Sequence, residues 1–274
     1  MVLFLDSGIG GLVYLEEFQR YCQSYDLAYL ADTAFFPYGE KEPDTVRERV
    51  VSLVTHIHER YPLQAVVIAC NTASVAALSA LRGALSIPVI GVVPAVKPAA
   101  GRTRTGQIVV LATNATAHDP YTEDLVARFA AYASVTLLGV PELVQAAEAQ
   151  FYRSPEPGSD SCGPLDSVFS RAVIPQMPQD TDVIVLACTH FVRYRQRFAQ
   201  LLPPGIAIVD SLSGVIQQLT RVLGDDGSEK QRSDTETSEE CCTFFHTAPL
   251  SHAHTRVLPE NWIYENITLS GEST

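Results

Sequence analysis

The sequence lacks the features of several large protein classes. Its 19 Lys and Arg against 31 Asp and Glu give a formal net charge of −12, so no basic stripe is present to bind a nucleic acid. No apolar stretch approaches the roughly 20 residues that a membrane helix needs. The opening run MVLFL stops at Asp6 and carries no basic leader. We therefore expect neither a signal peptide nor a membrane partner, and a cytoplasmic location.

Paired cysteine motifs are also missing. None of the six cysteines belongs to a CxxC pair, and Cys241 and Cys242 are adjacent, which is poor geometry for chelating zinc. We expect no metal site, and thiols that stay reduced in the cytosol. Lysine is scarce as well. A pyridoxal phosphate enzyme needs a Schiff-base lysine, and of the three lysines only Lys97 lies near a predicted interior. The sequence therefore favours a protein without a cofactor.

What is present is an alternation of short apolar runs with longer amphipathic stretches, in a chain that is 46% hydrophobic. Continuous apolar strands followed by helices are typical of parallel sheets covered on both faces, so the predicted class is α/β. The predicted strands are 2–5, 27–31, 65–69, 88–91, 107–112, 134–138, 182–187, 206–209 and 242–246. The predicted helices are 10–24, 43–60, 72–84, 120–132, 142–152, 165–175, 191–202 and 211–223.

Two segments interrupt this alternation. Residues 153–164 are rich in Pro, Gly and Ser, and we expect an exposed loop there. Residues 224–240 contain seven acidic residues against two basic ones, and we expect a solvated, mobile segment.

The sequence also repeats itself weakly. VVIACNTAS around Cys70 and VIVLACTHF around Cys188 each read as a buried strand ending in Ala-Cys, followed by polar residues that begin a helix. LFLDSGIGG and VVLATNAT are likewise similar to each other, since each reads as a strand that ends in a small polar turn. Two similar domains would explain this pattern, each contributing a cysteine from the carboxyl end of a strand. Ligands of such sheets bind at that end.

These two cysteines have the context of reactive thiols. A buried cysteine is usually only a small hydrophobic residue, but amide groups at a helix N-terminus stabilise a thiolate. A hydrolase needs one nucleophile. A racemase needs two groups, one on each face of an α-carbon: one removes a proton as thiolate, and the other delivers a proton as thiol. Cys70 and Cys188 fit racemisation better than hydrolysis.

Polar residues follow the same strand ends. His190 is either a satisfied polar residue or a partner of Cys188, and Asp6 is either a helix N-cap or a group facing the ligand. The segment DSGIGG matches neither GxGxxG nor a Walker motif, and its amides suit a carboxylate better than a nucleotide. Asn71-Thr72 and Thr189-His190 supply further donors, and Pro37-Tyr38-Gly39 is either an ordinary turn or a donor of N–H groups.

Several motifs resemble the glutamate racemases in order and spacing. They are DSGIGG (6–11), ADTAFFPYGEK (31–41), ACNTAS (69–74), GVVPAVKPA (91–99), ATNAT (112–116), ACTHF (187–191) and VDS (209–211). The resemblance implies two pseudo-symmetric flavodoxin-like domains, residues 1–96 with 209–274 and residues 97–208. It further implies that glutamate binds in the cleft between them without a cofactor, and it leaves a homodimer open.

The resemblance also implies roles for single residues. Cys70 would remove the α-proton of D-glutamate with help from Asp6, and Cys188 that of L-glutamate with help from His190 and Glu148. Further residues match substrate-binding positions, and they are Asp6, Ser7, Pro37, Tyr38, Gly39, Asn71, Thr72, Thr116, Thr189 and His190. The family supplies D-glutamate for peptidoglycan, which implies a bacterial source.

One departure from the family pattern stands out. After ACTHF the family usually continues Pro-Leu-Leu, whereas this chain has Val192-Arg193-Tyr194. The change alters the start of the helix behind Cys188. Three alternatives to a glutamate racemase remain open: an aspartate or hydantoin racemase, a maleate isomerase or decarboxylase on the same scaffold, and a solute-binding pair of domains in which the cysteines have no role.

Overall fold

The strands form where the sequence is continuously apolar. The computed structural model describes residues 1–22, 24–153, 163–224, 242–250 and 258–269. Its strands are β1 (Val2–Asp6), β2 (Leu27–Ala31), β3 (Ala65–Ile68), β4 (Val89–Gly91), β5 (Gln107–Ala112), β6 (Ser134–Gly139), β7 (Val183–Ala187), β8 (Ala207–Val209), β9 (Thr243–His246) and β10 (Ile263–Asn266). Strands β1, β2, β3 and β7 are buried along their whole length, as expected for strands covered on both faces.

Helices connect these strands. They are α1 (Leu12–Tyr21), α2 (Pro43–Arg60), α3 (Asn71–Ala84), α4 (Val96–Ala100), α5 (Asn114–Ala117), α6 (Pro120–Phe129), α7 (Pro141–Phe151), α8 (Pro164–Ala172), α9 (Thr189–Arg193), α10 (Arg195–Leu201) and α11 (Leu212–Val222). Within the described part of the chain, none of them is long and apolar enough to cross a membrane.

The chain divides into two compact units. Unit 1 comprises Met1–Val92 and Leu212–Thr274, and unit 2 comprises Val93–Ser211. The strand order is β10-β9-β2-β1-β3-β4 in unit 1 and β6-β5-β7-β8 in unit 2, and all pairs are parallel. Apart from β9 and β10, both sheets have the second, first, third and fourth strands of the unit in that order. This is the flavodoxin-like order, and it confirms the predicted α/β class.

The shared order gives the two cysteines corresponding places. Each lies beyond the third strand of its unit, next to the first strand, at the point where the strand order reverses and such sheets bind ligands. In unit 1 Leu5 pairs with Ile68, which brings Ser7 beside Cys70. In unit 2 Ala112 pairs with Ala187, which brings Thr113 beside Cys188. Ser7 and Thr113 therefore occupy equivalent positions.

The long helix α2 shows how unit 1 builds its core. Its buried residues recur at helical spacing and pack in one cluster with the inward-facing residues of β1 and β3. From α2 these residues are Val46, Val50, Leu53, Val54 and Ile57. Unit 2 has a separate core, in which residues of α4 pack with those of β5 and β7. The cores hold the strand ends, and thus the cysteines, in place.

The structure departs from the sequence-based elements in four places. Strand β10 and the short helices α4 and α5 had no counterpart, and the helix predicted over 191–202 is broken at Tyr194 into α9 and α10. Tyr194 sits near the bridge region, with φ −100° and ψ 17°, and so caps both helices. The expected loops at 153–164 and 224–240 lie almost entirely outside the described residues.

Candidate active site

The residues singled out by the sequence fall into two groups, one in each unit. Unit 1 contains Asp6, Ser7, Pro37, Tyr38, Gly39, Cys70, Asn71 and Thr72, and unit 2 contains Thr116, Glu148, Cys188, Thr189 and His190. Most are buried at the carboxyl ends of strands or in the first turns of the helices that follow. Tyr38 is buried in a separate turn, and Pro37, Gly39 and Glu148 are half-buried.

Cys70 is the N-cap residue of helix α3. Its backbone is extended, with φ −149° and ψ 124°, and the residue is 6% exposed. The helix behind it runs for 14 residues. The amide groups of its first turn and the helix dipole therefore favour the thiolate form of Cys70 over the thiol.

Asp6 ends β1 and is held by the backbone of the glycine-rich turn. Its carboxylate accepts hydrogen bonds from the amides of Ser7 (2.6 Å) and Gly11 (2.8 Å). A Cβ atom on Gly11 would lie 2.5 Å from the carbonyl oxygen of Ala69, so only glycine fits against the residue that precedes Cys70. Two amides of this turn thus bind the carboxylate of Asp6 itself, and the turn is locked to the end of β3.

Asn71 carries a buried amide beside Cys70. The residue is 3% exposed, and neither its side-chain nitrogen nor its oxygen has a hydrogen-bond partner among the described residues. Leaving a buried polar group unpaired costs about 1–3 kcal/mol. The amide offers a donor and an acceptor together, one residue from Cys70, and such a pair suits a polar ligand.

Tyr38 belongs to a buried network that sequence reasoning missed. Its hydroxyl donates to Asp32 (2.8 Å), whose carboxylate also accepts two hydrogen bonds from Arg49 (2.8 and 2.9 Å) and one from Thr247 (2.6 Å). Burial raises the pKa of Tyr38 well above its usual value, and the charges of Asp32 and Cys70 raise it further. The turn that contains Tyr38 and Gly39 packs against helix α3.

In unit 2, Cys188 is the N-cap residue of a much shorter helix, α9, which has five residues. A chain of polar side chains backs it instead. His190 Nδ1 lies 3.8 Å from the sulfur of Cys188, and His190 Nε2 lies 2.6 Å from Glu148 Oε2. Tyr152 donates a hydrogen bond to Glu148 Oε1 at 3.1 Å. The structure thus brings Cys188, His190 and Glu148 into direct contact.

This arrangement stabilises a protonated His190. Burial by itself lowers the pKa of His190, but the hydrogen bonds and charges of Cys188 and Glu148 outweigh it, and the pKa rises well above its usual value. Burial raises the pKa of Tyr152, and Glu148 adds to this effect, so Tyr152 stays a neutral donor. His190 thus faces the sulfur of Cys188 through Nδ1 and the carboxylate of Glu148 through Nε2.

The threonines of unit 2 have different surroundings. Thr113 caps α5, accepting from the amide of Thr116 at 3.1 Å and donating to the Thr116 hydroxyl at 3.0 Å. Thr116 and Thr189 are both buried, and Thr189 is the first residue of α9. Thr113, which occupies the position of Ser7 in unit 1, thus fixes the start of helix α5.

Three other features noted in the sequence have clear positions. Lys97 lies on α4 with its Nζ 5.4 Å from the centre of the Phe129 ring. Val192 is buried, and the Arg193 guanidinium lies 4.8 Å from the centre of the Phe151 ring. The described part of the chain contains no cluster of three or more His, Cys, Asp or Glu residues that could hold a metal ion.

Comparison with known proteins gives consistent matches. The model of the Asp/Glu/hydantoin racemase family matches residues 10–219. The glutamate racemase of Salmonella typhimurium is 41% identical over 233 residues, which cover 85% of this chain and 80% of that protein. The glutamate racemase of Klebsiella pneumoniae is 40% identical over the same share of both chains.

Solved structures agree with the sequence relatives. The Escherichia coli glutamate racemase, in complex with L-glutamate and the activator UDP-MurNAc-Ala, is 35% identical and has a TM-score of 0.82, with 98% of each chain covered. A glutamate racemase isoform of Bacillus anthracis is 27% identical and has a TM-score of 0.79, with 98% of this chain and 97% of that chain covered.

Proposed function

Because the chain belongs to the Asp/Glu/hydantoin racemase family, we propose that it interconverts L-glutamate and D-glutamate by a two-cysteine, two-base mechanism without a cofactor. One observation carries the mechanism. Cys70 and Cys188 occupy the same position, beyond the third strand, in two units that share one strand order.

The proton transfers run in opposite directions for the two enantiomers. With D-glutamate, the Cys70 thiolate takes the α-proton, and the electrons of the C–H bond remain on the α-carbon and its carboxylate. The Cys188 thiol then delivers its proton to the opposite face, which gives L-glutamate and leaves a Cys188 thiolate. With L-glutamate the two cysteines exchange roles. The mechanism requires both sulfurs to reach the same α-carbon.

Each thiol has an assisting group in this proposal. Asp6 lies at the strand end next to that of Cys70, where its backbone-bound carboxylate assists the proton exchange of that thiol. His190, backed by Glu148, stabilises the thiolate of Cys188 and returns a proton to it. In this proposal the substrate carboxylates and ammonium bind to side chains and backbone groups of ten residues, which are Asp6, Ser7, Pro37, Tyr38, Gly39, Asn71, Thr72, Thr116, Thr189 and His190.

The proposal extends to the role of the product in the cell. D-Glutamate made by this chain would enter peptidoglycan synthesis. Catalytic thiols must stay reduced, which fits a cytoplasmic location. Expression of the chain should restore growth of a bacterium that requires D-glutamate, whereas a Cys70→Ser variant should not.

The homodimer stays a prediction, and sedimentation of the purified protein would test it.

Isotope exchange of the wild-type enzyme tests the reaction itself. Purified protein is incubated with L-glutamate in heavy water, without added pyridoxal phosphate, and followed by proton NMR and circular dichroism. We expect the optical signal to decay to zero while deuterium replaces the α-proton. Stable optical activity, with no exchange over many enzyme equivalents, would refute the proposal.

The same assay separates glutamate from other substrates of the family. Aspartate and a hydantoin are tested in parallel at equal concentration. Exchange with aspartate or the hydantoin but not with glutamate would assign the chain to a different specificity on the same scaffold. Binding of glutamate without exchange would instead favour a solute-binding function.

A further inference from the structure

The two oxygens of Glu148 have different partners. Oε2 faces His190 Nε2 at 2.6 Å, and Oε1 accepts the hydroxyl proton of Tyr152 at 3.1 Å. Tyr152 is the C-cap residue of helix α7, with helical backbone angles, and follows Glu148 by four residues, so the two side chains lie on the same side of the helix. The two hydrogen bonds together orient the carboxylate, because rotation about the last side-chain bond would break both.

The end of α7 is packed against the segment that follows Cys188. The Tyr152 ring meets that of Phe151 edge-on, with centroids 5.5 Å apart, and the Arg193 guanidinium lies over Phe151. The hydroxyl of Tyr194 donates to the carbonyl of Ala147 at 3.1 Å. The residues that replace the usual Pro-Leu-Leu of the family thus contact the helix that carries Glu148 and Tyr152.

Charged and titratable groups near His190 lie on several elements of unit 2. Cys188 and Glu148 face it directly, and Tyr152 lies behind Glu148. On the neighbouring helices α8 and α10, Asp166 and Arg197 pair with each other at 2.5 Å. Arg193 of α9 lies over an aromatic ring.

We propose that Tyr152 is a positioning residue for the acid–base centre at Cys188, which it serves by holding Glu148 against His190. This inference rests on the proposed racemase function. Tyr152 does not contact Cys188 in the contacts described, and it acts through Glu148 and His190. A carboxylate that loses one of its two hydrogen-bond donors is less stable as an anion and less fixed in orientation. Its hold on the protonated imidazole weakens as a result.

Replacing Tyr152 with Phe removes the hydroxyl and keeps the ring. We expect kcat/KM for glutamate to fall about three- to tenfold, the loss typical of one hydrogen bond. The factor must be equal in both directions, because enantiomers have equal free energy and the equilibrium constant of racemisation is one. We also expect the alkaline limb of the pH–rate profile to move to lower pH, since His190 loses its proton more readily.

The titration of His190 gives a readout that does not depend on turnover. Its imidazole signal is followed by NMR against pH and assigned by its disappearance in His190→Asn. We expect the midpoint to fall in Tyr152→Phe. Tyr194→Phe is the matched control, since it removes a hydroxyl that binds the backbone of the same helix and leaves Glu148 untouched. In Tyr194→Phe, the midpoint of the His190 titration and the pH–rate profile should equal those of the wild type.

A double-mutant cycle tests the route of the effect. If Tyr152 acts through Glu148, then Tyr152→Phe should add nothing in a Glu148→Gln background. An unchanged His190 midpoint and unchanged kcat/KM in folded Tyr152→Phe, or full additivity with Glu148→Gln, would overturn the positioning role. The wild type in the same experiment reports on the proposed function: if it fails to racemise glutamate, that function is wrong irrespective of Tyr152.

Discussion

The surroundings of Cys70 and Cys188 differ although their positions in the two units correspond. Cys70 caps a helix of 14 residues, and the neighbouring Asp6 is held by two backbone amides. Cys188 caps a helix of five residues and is backed by His190 and Glu148. The groups described around Cys70 are thus mainly backbone groups, whereas those around Cys188 are mainly side chains.

This difference bears on how each thiol responds to its environment. Backbone amides and helix dipoles do not titrate, so the contribution that they make to a Cys70 thiolate does not change with pH. The support of Cys188 includes an imidazole, which loses its charge as the pH rises. In the proposed mechanism, two units with one strand order thus support their thiols by two physical routes, and the following experiments test how separate these routes are.

The largest effects should come from the cysteines themselves. Cys70→Ser and Cys188→Ser should each lower racemisation in both directions by about a hundred- to ten-thousandfold, because each direction needs one base and one acid. The two variants should differ in a half-reaction. With a glutamate analogue that carries a leaving group on its β-carbon, Cys70→Ser should eliminate only from the L form, and Cys188→Ser only from the D form.

Buried cysteines elsewhere in unit 1 supply the matched controls. Cys22 and Cys242 are buried, but neither lies at the carboxyl end of a strand. Cys22→Ser and Cys242→Ser should retain activity within about a factor of two once folded, as expected of thiols that act only as small hydrophobic groups. Racemisation by folded Cys70→Ser at the wild-type rate would rule out the two-thiol mechanism.

A smaller effect should distinguish the side-chain route. His190→Asn should lower kcat/KM about ten- to a hundredfold, the range for hydrogen bonds to charged groups. It should also remove the alkaline limb of the pH–rate profile that the deprotonation of His190 produces. His118→Asn, an exposed histidine bonded to the carbonyl of Asn114, is the control and should leave the profile unchanged. A limb that survives in His190→Asn would show that another group produces it.

The backbone route should be sensitive to glycine. Gly11→Ala places a methyl group against Ala69 and should destabilise unit 1 by about 1–3 kcal/mol. Gly83→Ala, in helix α3 with open space around the added atom, should stabilise the protein by about 0.5–1 kcal/mol. Urea unfolding measures both. A Gly11→Ala variant as stable and active as the wild type would mean that the turn is not locked to β3.

The smallest effect concerns the opposite end of the unit 2 sheet. Burial opposes ionisation of Asp182, but hydrogen bonds from Thr103 and the amides of Arg104 and Thr105 prevail and lower its pKa to about 2. Its contribution to stability is complete above the ordinary value of 3.8 and is lost as the pH falls through about 2. Asp182→Asn should therefore lower the Tm by a few degrees at neutral pH and by less at pH 2.

Most of the fold was predictable because parallel strands buried on both faces leave a strong signal. The nine predicted strands all occur, with ends that differ by a residue or so. Strand β10 was missed because Ile263–Asn266 is short and half-exposed at the sheet edge. Helices α4 and α5, of five and four residues, are too short for hydrophobic periodicity to appear.

From the residue pattern itself, the candidate site was predictable only where its residues adjoin strand ends, and Glu148 was named only through the family resemblance. The positions of Cys70 and Cys188 followed from the repeated strand-Cys-helix pattern. The network of Asp32, Arg49 and Thr247 did not, because it joins residues from opposite ends of the chain. The contact of Glu148 with His190 likewise depends on the packing of α7 against α9, which no local pattern encodes.

The division of the chain into units has a consequence for biosynthesis. Unit 2 is one uninterrupted segment that ends at Ser211, so all of its native contacts become available during translation once that residue has left the ribosome. The sheet of unit 1 has to wait, because β2 pairs with β9, and β9 with β10. Until His246 emerges, the outer edge of β2 stays unpaired, and until Asn266 emerges the outer edge of β9 stays unpaired. The nascent chain therefore carries one complete unit while the other still exposes a strand edge.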